Sequence, residues 1–198
     1  MQTSRKEAIL ETATLLFAEK GFRETSTAEV AEQAGVAVGT LFYHFKTKEG
    51  IMLAVYEMMV DAYVAGIESA CAEAGSGLDG LLTAIRYHFR FNAERSEQQL
   101  VLMRDFPSRL CAVGSPERSR VAAHSERILN VFRRRLEIGI NDGSVRPVPI
   151  TPTAQILRGM LYGLSRLHLL GSLDLPVPEA EALAFCQTAL AATAVTHV

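Results

Sequence analysis

Between Thr27 and Ile51 the chain reads TAEVAEQAGVAVGTLFYHFKTKEGI, and its second half carries groups suited to gripping a polyanion. Val38, Gly39, Thr40, Tyr43 and His44 fall within seven residues, and Lys46 and Lys48 follow directly. Thr40 offers a hydroxyl to a phosphate or a base edge. Its methyl, like the side chain of Val38, suits contact with a thymine methyl. Tyr43 and His44 are long donors for phosphate oxygens, Lys46 adds charge, and Gly39 lets the backbone approach closely. Thr27 and Lys48 stand where helices begin, and free amide groups there favour anions. For Val38, partial burial in a helix is as good a reading as contact with DNA. The chemistry implied is recognition of a duplex groove and its phosphates.

Those side chains need a small scaffold to aim them. Ala31 and Gly35 stand four apart, as a small contact residue and a turn residue free to take positive φ would in two short crossing helices. Val30, Ala34, Val36 and Leu41 supply the apolar seam, and Phe45 closes a core with Phe17 and Phe22. Ahead of this unit, Arg5 to Lys20 carries Ile9, Ala13, Leu16 and Phe17 on one helical stripe, and Gly21 stops it. Ser26 or Thr27 caps the second helix, and Thr47 caps a long fourth one reaching about Ala72.

Helical periodicity continues to the end of the chain. After a break at Gly75-Ser-Gly77, helices are expected from Leu78 to about Asn92 and from about Glu97 to an interruption near Pro107. Ser115-Pro116 opens an arginine-rich helix to about Gly139, and Thr151-Pro152 opens an apolar one to about Leu170. Pro176-Val-Pro178 starts a last helix to about Ala194, with a frayed tail from Thr196. No strand-like alternation and no internal repeat is visible. The expected fold is all-α with about nine helices.

Composition narrows the function. The 198 residues are 48% hydrophobic, enough for a sizeable core, and the net charge is −2. The first 50 residues hold six basic and seven acidic side chains, which argues against a charge-driven, non-specific nucleic-acid binder. Cys71, Cys111 and Cys186 are far apart without a CxxC, so buried free thiols in a reducing compartment are expected. The most apolar stretch, Gly159 to Leu173, is broken by Ser165, Arg166 and His168, so no membrane span is expected and a cytoplasmic location follows.

Catalysis finds no support. His88, His124 and His168 lack metal-ligand spacing, no phosphate-cradling glycine loop is present, and no nucleophile set is marked; neither metal nor cofactor is expected. Arg133-Arg-Arg135 reads as a solvated or salt-bridged face. Among the apolar body helices, Tyr87, Phe91, Met103, Phe106, His124 and Tyr162 could line a pocket of apolar walls and a few polar groups, although core packing explains most of them one by one.

Residues 5 to 51 resemble the DNA-binding domain of the tetracycline-repressor (TetR) family, whose motif ends in G-T-(L/I)-Y-x-(H/Y)-F-x-(S/N/T)-K-E. Here the chain has Gly39-Thr-Leu-Phe-Tyr-His-Phe-Lys-Thr-Lys-Glu49, departing at Phe42, and it has Val38 where the family often has a polar residue. The resemblance implies a DNA-binding domain over residues 1–47 and a ligand-binding and dimerisation domain over 48–198. It also implies a homodimer through the last two long helices, a double-stranded DNA operator, and a small-molecule effector that releases it. The expected function is a ligand-responsive repressor. A regulator without effector, an activator, or a helical ligand carrier or enzyme with a vestigial head are the alternatives.

Overall fold

A computed structural model describes residues 4–171 and 178–192. Among these the chain forms nine α-helices, one 3-10 turn and an isolated β-bridge between Val145 and Ala191, and the all-α expectation holds.

The N-terminal helices follow from their caps. α1 (Arg5–Lys20) begins with a capping box: Ser4 Oγ accepts from the Glu7 amide, and the Glu7 carboxylate accepts from the Ser4 amide. Gly21 ends it at φ 88°. α2 (Thr27–Gln33) is capped by Ser26, whose hydroxyl accepts from the Glu29 amide at 3.1 Å, so Thr27 is its first residue and not its cap. α3 (Val38–Phe45) follows the Gly35 turn, and Thr47 caps α4 (Lys48–Ala70) by accepting from the Gly50 amide at 2.9 Å.

The remaining helices are α5 (Gly77–Glu94), α6 (Ser96–Asp105), α7 (Arg118–Asn141), α8 (Ile150–Leu169) and α9 (Glu179–Leu190), with a 3-10 turn at Ser108–Cys111. α7 starts later than Ser115-Pro116 suggested. The Ser115 hydroxyl donates to the Glu117 carboxylate at 2.8 Å and accepts from the Glu117 amide at 3.2 Å. That local bonding holds residues 116–117 in a turn at the expense of helix. α8 starts earlier, with Pro149 as cap and the Thr153 amide donating to its carbonyl at 3.0 Å. Pro152 then lies in the first turn, where its missing N–H costs nothing. The last helix starts at Glu179 with Pro178 as cap. It ends at Leu190, short of the expected Ala194, because Ala191 turns extended and bridges to Val145. Pro176, Val177, Ala194 and the tail from Thr196 themselves lie outside the described residues.

The chain divides into two compact units, residues 1–60 with 95–124, and residues 61–94 with 125–198. In the first, Ile9, Ala13 and Phe17 of α1 meet Val30 and Ala31 of α2, Leu41 and Phe45 of α3, Ile51 and Met52 of α4, and Val101 of α6, all buried. Phe17 and Phe22 stack edge to face at 5.2 Å, and Phe45 closes the same core. α6 covers α1, and Asp105 at its end accepts from the Phe22 amide at 3.3 Å while pairing with Arg104.

In the second unit α5 packs on α8 and α9. Its first residue, Gly77, meets Gly139 of α7 backbone to backbone: a Cβ on Gly77 would stand 2.0 Å from the Gly139 nitrogen.

Cys71 and Cys186 are buried, as expected, and burial raises both thiol pKa values, that of Cys186 to about 11. Cys111 is exposed, against expectation, because the 3-10 turn directs its inward position to Leu110, which is 2% exposed. The helix apolar and long enough to cross a membrane by length and composition is α4, not the stretch after Gly159. Half of its most apolar window is buried, and its Glu57 and Asp61 pair with Arg120 and Arg127, as suits a core helix.

Candidate nucleic-acid interface and interior polar cluster

The α2–α3 turn is built on Gly35 at φ 65°, with the Val36 amide donating to the Ala31 carbonyl at 2.9 Å. This holds α3 so that Leu41 and Phe45 point inward, at 0% and 7% exposure. Spacing then sets the other faces. Gly39 and Tyr43, four apart, form the outermost row, and Tyr43 is 74% exposed. Thr40 and His44 form a second row, half-buried and exposed respectively, with the His44 ring 5.2 Å from that of Tyr43. Val38 and Phe42 form a third, exposed by 41% and 40%.

Phe42 was singled out only as a departure from a motif; its place four residues after Val38 was the signal that it shares that half-exposed row. Gly39 needs no space for itself, since a Cβ there would meet nothing within 4 Å.

The C-terminal edge is shaped by strain and close contact. Lys46 caps α3 at φ 62°, the one positive φ among the described non-glycine residues, and its ammonium lies 5.5 Å from the Tyr43 ring centre. Two residues on, Lys48 is differently employed. Its ammonium donates to the carbonyls of Thr25 at 2.8 Å and Arg23 at 3.0 Å and sits 4.6 Å from the Phe22 ring centre. Two of its three N–H bonds are thus engaged in holding the α1–α2 loop. Gly50 was also overlooked: a Cβ there would stand 2.1 Å from the Phe45 carbonyl oxygen, so only glycine lets α4 start so close to the end of α3.

The six residues expected to line a pocket fall into separate places. Phe106 and His124, in the first unit, both flank Tyr56, with ring centres at 5.1 and 6.1 Å. His124 Nε2 also lies 3.6 Å from a Glu57 oxygen. Met103 is half-buried on α6 of the same unit. Tyr87 and Phe91, in the second unit, gather around Tyr63, at 6.2 and 5.2 Å. Tyr162 is 51% exposed on α8.

Tyr63 leads to a polar cluster that the sequence reading did not assemble. Tyr63, Asn92 and Ser165 are 7%, 7% and 5% exposed. His88 joins them: Nδ1 is 2.9 Å from the Tyr63 hydroxyl, and Nε2 is 2.9 Å from Ser165 Oγ and 3.1 Å from Asn92 Nδ2. Burial lowers the His88 pKa to about 4, so the ring is neutral at physiological pH, and burial raises that of the Tyr63 phenol. In the sequence His88 stands as one polar group among apolar helical positions, without metal-ligand spacing. The signal that could have found the cluster is the i, i+4 pair His88 and Asn92 on an otherwise apolar face of α5. Among the described residues no three metal-ligating side chains gather.

Comparison with known proteins bears on the same residues. Residues 9–55 match the sequence model of "Bacterial regulatory proteins, tetR family". The HTH-type transcriptional repressor KstR2 of Mycobacterium tuberculosis is 30% identical over 148 residues, 73% of this chain and 70% of that protein. The fatty acid metabolism regulator protein of Bacillus subtilis is 24% identical over 166 residues, 84% of this chain and 78% of that one. A solved structure of FadR from Bacillus subtilis in complex with stearoyl-CoA has the same fold, with a TM-score of 0.79 at 20% identity over 92% of this chain and 97% of the other.

Proposed function

The chain belongs to the tetR family of bacterial regulatory proteins, and on that premise we propose that it is a dimeric transcriptional repressor released from its operator by a small hydrophobic effector. Residues 1–47 recognise DNA; residues 48–198 bind the effector and dimerise; the protein acts in the cytoplasm. The observation that carries this reading is the solvent face of α3. Gly39, Thr40, Tyr43 and His44 stand on a helix whose inner side is fully engaged, with Lys46 held beside Tyr43.

Such a helix fits a major groove, with Tyr43, His44 and Lys46 on phosphates, Thr40 and Val38 at base edges, and Thr27 at a phosphate by the start of α2. Lys48 serves one step back, by fixing the loop that leads into α2, and can lend only its remaining N–H to a phosphate.

Dimerisation is supported by the last two helices. Ile156, Tyr162 and Leu167 of α8 and Phe185 of α9 are 67%, 51%, 45% and 63% exposed. Ile156 and Leu167, eleven apart, share one face of α8, and with Phe185 on α9 such exposed apolar groups suit a four-helix contact between copies. Tyr162, half-exposed, lies about 120° round α8 from that face. The effector class is supported by the fatty acid metabolism regulator protein of Bacillus subtilis among the relatives and by the stearoyl-CoA complex of FadR from the same organism, so long-chain acyl-CoA thioesters are the first compounds to try.

The test is selection of an operator from random duplex DNA, followed by titration with and without acyl-CoA. A palindromic site with half-sites about one turn apart, released by a thioester, is the expected result. Failure to select any site would overturn the regulator reading. A selected site that no acyl-CoA, fatty acid or steroid releases would overturn the effector reading alone.

A further inference from the structure

Hydrogen counting in the interior cluster leaves a donor without an acceptor. The Asn92 carboxamide donates to the His88 carbonyl at 2.8 Å and directs its other N–H at His88 Nε2. If Nε2 is the acceptor, Ser165 also donates to it, Nδ1–H donates to the Tyr63 oxygen, and the Tyr63 hydroxyl hydrogen has no acceptor among the described residues. If Nε2 carries the hydrogen instead, Tyr63 donates to Nδ1, Nε2–H turns to Ser165 or to the Leu161 carbonyl at 3.3 Å, and the Asn92 N–H faces another N–H. Either tautomer leaves a buried donor in surplus, a costly arrangement unless something accepts from it. The first avoids the clash of donors and places the surplus on Tyr63.

A second donor stands beside it. The Tyr87 hydroxyl rests where a Cβ on Gly66 would be, 1.7 Å from that position, and has no hydrogen-bond partner among the described residues. Gly66 is one turn along α4 from Tyr63, and the two tyrosine rings are 6.2 Å apart, with Phe91 against both. Burial raises the pKa of the Tyr63 phenol, outweighing the charge of Arg158, so the hydroxyl stays protonated as a donor.

We infer that Tyr63 and Tyr87 form the polar end of the effector site and donate hydrogen bonds to the carbonyl oxygen of an otherwise apolar molecule. This rests on the effector-regulated reading above and says which atom of the effector is recognised. A neutral carbonyl suits the place: the aromatic wall takes the apolar part, and the two hydroxyls supply what a carbonyl oxygen needs. Asn92, Ser165 and His88 then act as positioning residues that turn the Tyr63 hydrogen outward. The His88 ring, neutral at physiological pH, adds no competing charge.

The test uses the full chain, stearoyl-CoA, and its S-octadecyl-CoA thioether, in which a methylene replaces the carbonyl. The wild type is expected to bind the thioester about tenfold more tightly than the thioether, the loss of about one good hydrogen bond. Tyr63→Phe and Tyr87→Phe are each expected to lower the ratio, and the double variant to bring it near one. Tyr63→Phe also takes the acceptor from His88 Nδ1–H, so the stability control is Tyr87→Phe, whose hydroxyl has no hydrogen-bond partner among the described residues; unliganded, it should melt within about 2 °C of wild type. A fall of more than about 5 °C in Tyr87→Phe would assign Tyr87 a structural role and overturn the inference. Binding without preference between the two compounds would overturn it and leave the lipid reading intact. If neither compound binds, the acyl-effector reading fails, and the unliganded melting comparison decides the inference alone.

Discussion

An alanine methyl at Gly39 would meet nothing within 4 Å of the protein, so its fold has no use for a glycine there. Gly39 is the second residue of α3, and replacing it by alanine reduces the entropy of the unfolded chain, a gain of about 0.4–1 kcal/mol. Gly39→Ala is therefore expected to raise the urea midpoint while weakening operator binding about tenfold, since the methyl stands where backbone and groove would meet. Stability and affinity moving together would remove Gly39 from the interface. The two lysines separate in a similar way. Lys46→Ala is expected to flatten the log-log salt dependence of binding by about 0.9 per lost phosphate contact. Lys48→Ala is expected to cost about 1–2 kcal/mol of stability through the lost carbonyl bonds and Phe22 contact, with a smaller change in salt slope. Salt titrations of both variants, paired with denaturation curves, test the assignment.

At the scale of elements, the joint between α3 and α4 is the tightest place in the reading head. With 2.1 Å between a Gly50 Cβ and the Phe45 carbonyl, Gly50→Ala must push the start of α4 away from α3. A cost of about 2–3 kcal/mol, with loss of DNA binding, is expected from thermal melts and operator titration. α5 offers a different lever. His88 titrates at about 4 in the fold against 6.5 unperturbed, so the unfolded chain binds more protons between those values. Stability from the neutral ring is present above pH 6.5 and is lost as pH falls through 4, by as much as about 3 kcal/mol. Urea midpoints measured from pH 7 down to 4 should decline, and His88→Gln should remove that part of the decline. An unchanged slope in the variant would mean that His88 is not held neutral by burial.

For the whole molecule, the proposed dimer contact through α8 and α9 would place oligomeric state and DNA binding under one control. Two recognition helices in successive major-groove turns require two copies, so a monomer would grip one half-site only. Phe185→Glu, at a 63% exposed position, puts a charge on the proposed contact at little cost to the monomer. Sedimentation is expected to show a monomer, and operator affinity to fall by at least about a hundredfold as the second half-site contact is lost. A dimer that persists in this variant and in Ile156→Glu would locate the interface elsewhere.

Local chemistry made much of this molecule legible in its sequence. α1 runs from Arg5 to Lys20 as its stripe and Gly21 dictate, the Gly35 turn has the positive φ its spacing implied, and Thr47 caps α4. These features depend on neighbours a few residues away, and those neighbours are written in the chain. What the sequence left open were matters of long-range partnership. Lys48 looks the same on paper whether it faces phosphate or the Thr25 carbonyl, 23 residues away. Gly50 shows its purpose only when the Phe45 carbonyl is seen beside it. Tyr63, His88 and Ser165 become one hydrogen-bonded cluster only because α4, α5 and α8 meet. The sequence by itself determined the helices and the DNA-reading motif. The tertiary structure decided which polar groups remain free to bind something else, because a side chain's hydrogen-bonding capacity is used up by whatever folding brings nearest.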